Sequence, residues 1–175
     1  MNRKILGFAF ALMFVAMMVA PVIAEPARGQ KVTAEMYVLG FSEDRTAEDY
    51  SINVNNGGIQ IERNIIVTYV PIYLIIDGGA PWIGTVVSNV DMIGNLDKKT
   101  AVGHMDAVMT FSTPEDGFRG NIQTAQEEMF TADWTLRMHC VLQGFGAFEG
   151  QTLYLNRTGP YPGAPSKGYL LKPIG

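Results

Sequence analysis

The chain has one cysteine, two histidines and almost no clustered positive charge, and each shortage closes off a class of function. A lone Cys140 cannot form an intramolecular disulfide, so the fold has to be held by packing. It shares an alternating face with Leu136, Met138 and Leu142, the setting of a small buried hydrophobe rather than a reactive thiol. Paired metal-binding cysteines, His-Glu-x-x-His, Gly-x-Ser-x-Gly and phosphate-loop patterns are all missing. Gly144-Phe145-Gly146 has no helix pattern after it, which removes a dinucleotide role. Amphipathic runs of helical length are missing as well, which disfavours α/β winding. Lys98-Lys99 is the only adjacent basic pair beyond residue 24, too little to grip a phosphate backbone, so no nucleic-acid partner is expected.

What is present begins with Arg3 and Lys4, followed by an uncharged apolar run from Ile5 to Ala20, then Pro21 and Val22-Ile23-Ala24. A charged start, an apolar middle and small residues at the end make residues 1–24 a secretory signal peptide, helical across its apolar part. The rival reading keeps the 20 residues Ile5 to Ala24 as a membrane anchor, since they just span a bilayer as a helix. Pro21 and the small residues favour cleavage. The remaining 151 residues are enough for one domain. Without Arg3 and Lys4, 11 Lys and Arg stand against 17 Asp and Glu, a formal charge of −6. Residues 25–31 read as a short polar leader and 32–175 as a single domain. The expected location is secreted, or on the extracellular face of the cell envelope.

Within that domain, runs of four to twelve residues are separated by Gly, Asn, Asp and Pro turns. Val32 to Phe41, Tyr50 to Val54, Trp82 to Ile93, Thr100 to Phe111, Phe118 to Ala125, Ala132 to Gln143, Thr152 to Leu155 and Gly168 to Pro173 all have strand character. Gln123 to Phe130 has a short helix as its alternative. Asn55-Asn56-Gly57-Gly58 is a strong turn signal. Ile65 to Ile76 is apolar on both faces, with Ile65, Val67, Tyr69, Tyr73 and Ile75 opposite Ile66, Val70, Ile72, Leu74 and Ile76. Such a strand is covered on both sides, and Pro71 inside it marks an edge or a bulge. The pattern predicts an all-β, antiparallel closed barrel of about eight strands, with a partner subunit or a loop over the outer wall of the apolar strand. Gly117-Phe118-Arg119-Gly120 and Ala147-Phe148-Glu149-Gly150 share a weak Phe-x-Gly echo.

The chemistry-bearing residues are few. His104 and His139 face away from the Met/Phe/Leu side of their strands, and Asp106 shares the His104 face; adjacent strands would bring all three together as a minimal metal or acid–base set. Exposed or hydrogen-bonded histidines are the default, and no metal is expected. Tyr69, Tyr73, Trp82, Trp134, Met105, Met109 and Met138 could line a cavity gripping an apolar ligand, against the plainer alternative of an ordinary core. Asn156-Arg157-Thr158 is a glycosylation sequon, compatible with an exposed loop.

Gly144-Phe145-Gly146-Ala147-Phe148-Glu149-Gly150, with the strand after it, resembles the Gly-x-Gly-x-Phe-x-Gly junction of the allene oxide cyclase/dirigent-like barrel family. Gly168-Tyr169-Leu170 corresponds to that family's final strand, while Gln151-Thr152-Leu153 departs from its usual Ala-x-Gly. The resemblance implies an eight-stranded antiparallel barrel, an apolar cavity, no cofactor and a homo-oligomer packed through the barrel wall. No catalytic residue of the family falls on a matching motif here.

Three functions follow from these readings. The leading one is an exported, non-catalytic barrel binding a small apolar ligand or a partner chain, with Tyr69, Tyr73, Trp82, His104, Asp106, Trp134 and His139 as cavity candidates. A cofactor-free cyclase or isomerase using the same cavity is the second. A structural or adhesive envelope protein, joined through edge strands or held by residues 5–24, is the third.

Overall fold

The computed structural model describes residues 29–44, 50–54, 58–129, 131–160 and 164–174. The signal segment and most of the leader lie outside the described residues, as does part of the Asn55–Gly58 turn. Among the described residues, ten strands follow in chain order: β1 Gln30–Val38, β2 Phe41–Asp44, β3 Tyr50–Val54, β4 Ile59–Ile76, β5 Trp82–Asn95, β6 Thr100–Thr110, β7 Gly117–Glu127, β8 Thr135–Phe145, β9 Thr152–Pro160 and β10 Ser166–Lys172. One 3-10 turn, Gly146–Phe148, is the only helical piece among the described residues. The short helix entertained for Gln123 to Phe130 gives way to β7, because Ile122 and Thr124 alternate inward while the backbone pairs with both β6 and β8.

Every pairing is antiparallel. The order β1-β10-β9-β8-β7-β6-β5-β4 closes on itself through β1–β4, giving a ring of eight strands, while β2 and β3 add along the remaining edge of β4. One row of paired residues runs Ala34, Gly168, Leu155, Cys140, Ile122, Met105, Val90 and Ile65. Across the closure, however, Ala34 pairs with Ile76, eleven residues beyond Ile65. Such a stagger tilts the strands and turns one face of all eight inward. Apart from Gly168, the members of the row are buried, so the ring's inner face is the core.

The long strand β4 changes phase twice. Its register on β5 shifts between Glu62 and Ile65 and again between Tyr69 and Ile72. At the first shift Asn64 takes φ 55°, a conformation asparagine tolerates, and Asp91 receives both the Asn64 N–H (3.1 Å) and the Arg63 guanidinium (3.1 Å). The second falls on Val70-Pro71, a cis peptide, as proline's missing N–H favours at a bulge. Each extra residue exchanges the two faces of the strand. Ile65, Val67 and Tyr69 therefore point inward, followed by Ile72 and Leu74, while Tyr73 turns to the other side. The uninterrupted alternation read from the sequence had Tyr69 and Tyr73 together; the bulge separates them.

One end of the interior is filled by aromatic rings. Trp82 opens β5, Phe111 follows β6, Phe118 lies near the start of β7, and Phe148 swings in from the turn after β8. Phe118 and Phe148 lie 4.7 Å apart between ring centroids, Trp82 and Phe148 5.1 Å, and Phe111 and Phe148 5.5 Å. The glycine junction makes this possible. Gly144 passes so close that a Cβ there would strike the Phe148 carbonyl, and Gly146 sits at φ 61°. Asp116 fastens the turn from outside, accepting the Ala147 N–H at 2.7 Å and the Thr113 hydroxyl at 2.9 Å.

Candidate functional site

The other end of the interior is not filled. Between the rows holding Met109 and Leu136 lies a cavity of about 350 Å³, reaching the surface beside Leu39, which is 66% exposed. Four methionines line it: Met36 from β1, Met105 and Met109 from β6, and Met138 from β8. Unbranched thioether chains settle into alternative shapes at little cost, so a wall of them adapts to whatever it contacts. Val38, Val86, Ile122 and Leu142 complete the apolar lining.

Polar groups enter at four places: Tyr69, Thr124, Arg157 and Ser166. Arg157 is at an inward position of β9, two residues after Leu155, and is only 8% exposed; its guanidinium donates to the Pro160 carbonyl at 2.9 Å. Thr124 is 7% exposed and its hydroxyl has no hydrogen-bond partner. Cys140 also lines the wall, and burial pushes its thiol up to about 12. It therefore stays protonated at neutral pH and has little nucleophilic character.

Of the residues singled out from sequence, Tyr69, Met105, Met109 and Met138 line this cavity. Tyr73 does not, because of the Val70-Pro71 bulge. Trp82 belongs to the aromatic end and keeps 42% of its surface exposed. Trp134 precedes β8, its indole N–H donating to Gln126 Oε1 at 3.1 Å. The two histidines and Asp106 lie on the outer wall. β7 separates β6 from β8, so His104 and His139 flank Gln123 in one row, with backbones about 10 Å apart. His104 pairs with Asn121 (3.1 Å) and stands 4.0 Å from Asp106; His139 pairs with Asn156 (2.8 Å). Among the described residues no group of three His, Cys, Asp or Glu is placed to hold a metal. Asn156 itself sits exposed within β9 rather than in a loop, with His139 and Lys167 as its strand neighbours.

Sequence reasoning passed over Thr124, Arg157 and Ser166. Their signal was present as polar residues at inward positions of alternating strands: Ile122 then Thr124, and Leu153, Leu155 then Arg157. A polar side chain in such a place needs an explanation that packing alone does not supply. The chain matches no protein-family model, no curated protein and no solved structure.

Proposed function

We propose that this chain is an exported, closed β-barrel that carries a small apolar ligand in its methionine-lined cavity. The observation that carries this reading is the void itself. Interiors normally pack to the density of organic crystals, and a 350 Å³ space bordered by Met36, Met105, Met109 and Met138 is stability forgone. Cavities of this size and composition are the ordinary form of a small-molecule site. An enzyme of the cyclase or isomerase kind has less support, since His104, Asp106 and His139 stand outside the cavity and its one thiol is held protonated.

Isothermal titration calorimetry with 2-ethylnaphthalene tests the reading. Saturable uptake of one molecule per chain is expected, and Cys140→Phe, which projects a ring into the cavity, is expected to abolish it. Uptake that fails to saturate, or that survives this substitution in a folded protein, refutes the assignment.

A further inference from the structure

The cavity holds a group that an ordinary apolar site would not contain. Thr124 is 7% exposed, lines the cavity and has a hydroxyl with no partner. Its register explains why the fold supplies none. On β6 it faces Gly103, which has no side chain, and on β8 it faces Met138, which offers only a thioether. Gly103 also keeps the hydroxyl's space open, since a Cβ there would stand 2.9 Å from Thr124 Oγ1. A buried hydroxyl without a hydrogen bond is unfavourable by more than a typical bond gains, so its place beside an open cavity calls for a partner from outside.

We infer that the ligand is an oxygenated apolar molecule whose carbonyl or hydroxyl oxygen hydrogen-bonds to Thr124, rather than a plain hydrocarbon. This rests on the cavity being the binding site. The volume of 350 Å³ equals the liquid share of about a dozen waters, which sets the ligand at roughly a dozen non-hydrogen atoms. Thr124 fixes the position of the oxygen, and the methionines accommodate the hydrocarbon around it. The hydroxyl can donate to a carbonyl and either donate to or accept from an alcohol.

Two ligands of matched shape distinguish the claims: 2-acetylnaphthalene, with a carbonyl, and 2-ethylnaphthalene, without one. Thr124→Val keeps the side chain's shape and removes the hydroxyl. It is expected to weaken the ketone about tenfold while leaving the hydrocarbon within about twofold. The infrared carbonyl stretch of the bound ketone should move to the value of a free carbonyl in the same variant. Ser88→Ala is the control, because that hydroxyl is also buried and unpartnered but does not line the cavity; both affinities should be unchanged. If both ligands bind the wild-type chain and Thr124→Val shifts them equally or not at all, the role of Thr124 is refuted and the cavity reading stands. If neither ligand binds the wild-type chain, the cavity reading fails and this inference with it.

Discussion

The two ends of the ring's interior are built from the same alternating strands and reach opposite outcomes. At one end Trp82, Phe111, Phe118 and Phe148 interlock, Phe118 being fully buried. At the other, Met36, Met138, Thr124 and Arg157 surround empty space. Hydrophobicity does not distinguish them, because both are largely apolar. Shape does: rigid rings brought in by glycine-enabled close approaches fill their end, whereas slender flexible chains leave theirs adaptable. Close packing is concentrated where the rings are, and unfilled volume where they are not.

Truncation exposes the contrast most strongly. Phe118→Ala should cost about 3–5 kcal/mol, while Leu136→Ala, on the border of the existing void, should cost about 2 kcal/mol or less. Urea denaturation measures both, and equal losses would erase the distinction. Alkali probes the cavity wall next. Below about pH 9 the Cys140 thiol is protonated in both folded and unfolded chains. From about pH 9 upward the unfolded chain releases its proton, while the folded chain retains it until about 12, so stability falls across that window. Cys140→Ala should flatten the loss between about pH 9 and about pH 11; an unchanged slope would mean that the thiol is not held in an apolar wall.

Added volume separates the ends from the opposite direction. Leu153→Phe, at a fully buried position away from the cavity, should destabilise by about 1–3 kcal/mol. Cys140→Phe should cost less than that in the same denaturation series, since its ring has space to enter. A smaller effect is expected from Asp116→Ala, which removes the carboxylate anchoring the turn that delivers Phe148: about 1 kcal/mol, with altered near-ultraviolet circular dichroism from the ring cluster. His139→Ala should change stability by no more than about 0.5 kcal/mol and leave ligand affinity untouched, because its ring lies on the outer wall. A loss of binding there would move the site out of the cavity.

Legibility in the sequence followed the same division. β3 lies where its five-residue run predicts, and the inward face of β8 carries Leu136, Met138, Cys140 and Leu142 as their alternation requires. The Phe-x-Gly echo has a concrete meaning, since Phe118 and Phe148 are the closest ring pair of the packed end. Pro71 was recognisable as an edge or a bulge, but its effect on Tyr73 was not, because alternation carries no record of a slipped phase until the partner strand shows it. The histidines show the same limit: their outward direction could be read, whereas the intervening β7 belongs to the topology.

Composition and periodicity were enough to indicate an all-β, antiparallel architecture and a core built without disulfides, because side-chain alternation and turn residues are local consequences of sequence. Only the tertiary structure decided that the strands close into a ring, which face of β4 turns inward after each bulge, and that one end is plugged while the other stays open. Empty volume is what remains after side chains from eight staggered strands have met. No single stretch of the chain contains that remainder, and the unpartnered hydroxyl of Thr124 acquires its significance only beside it.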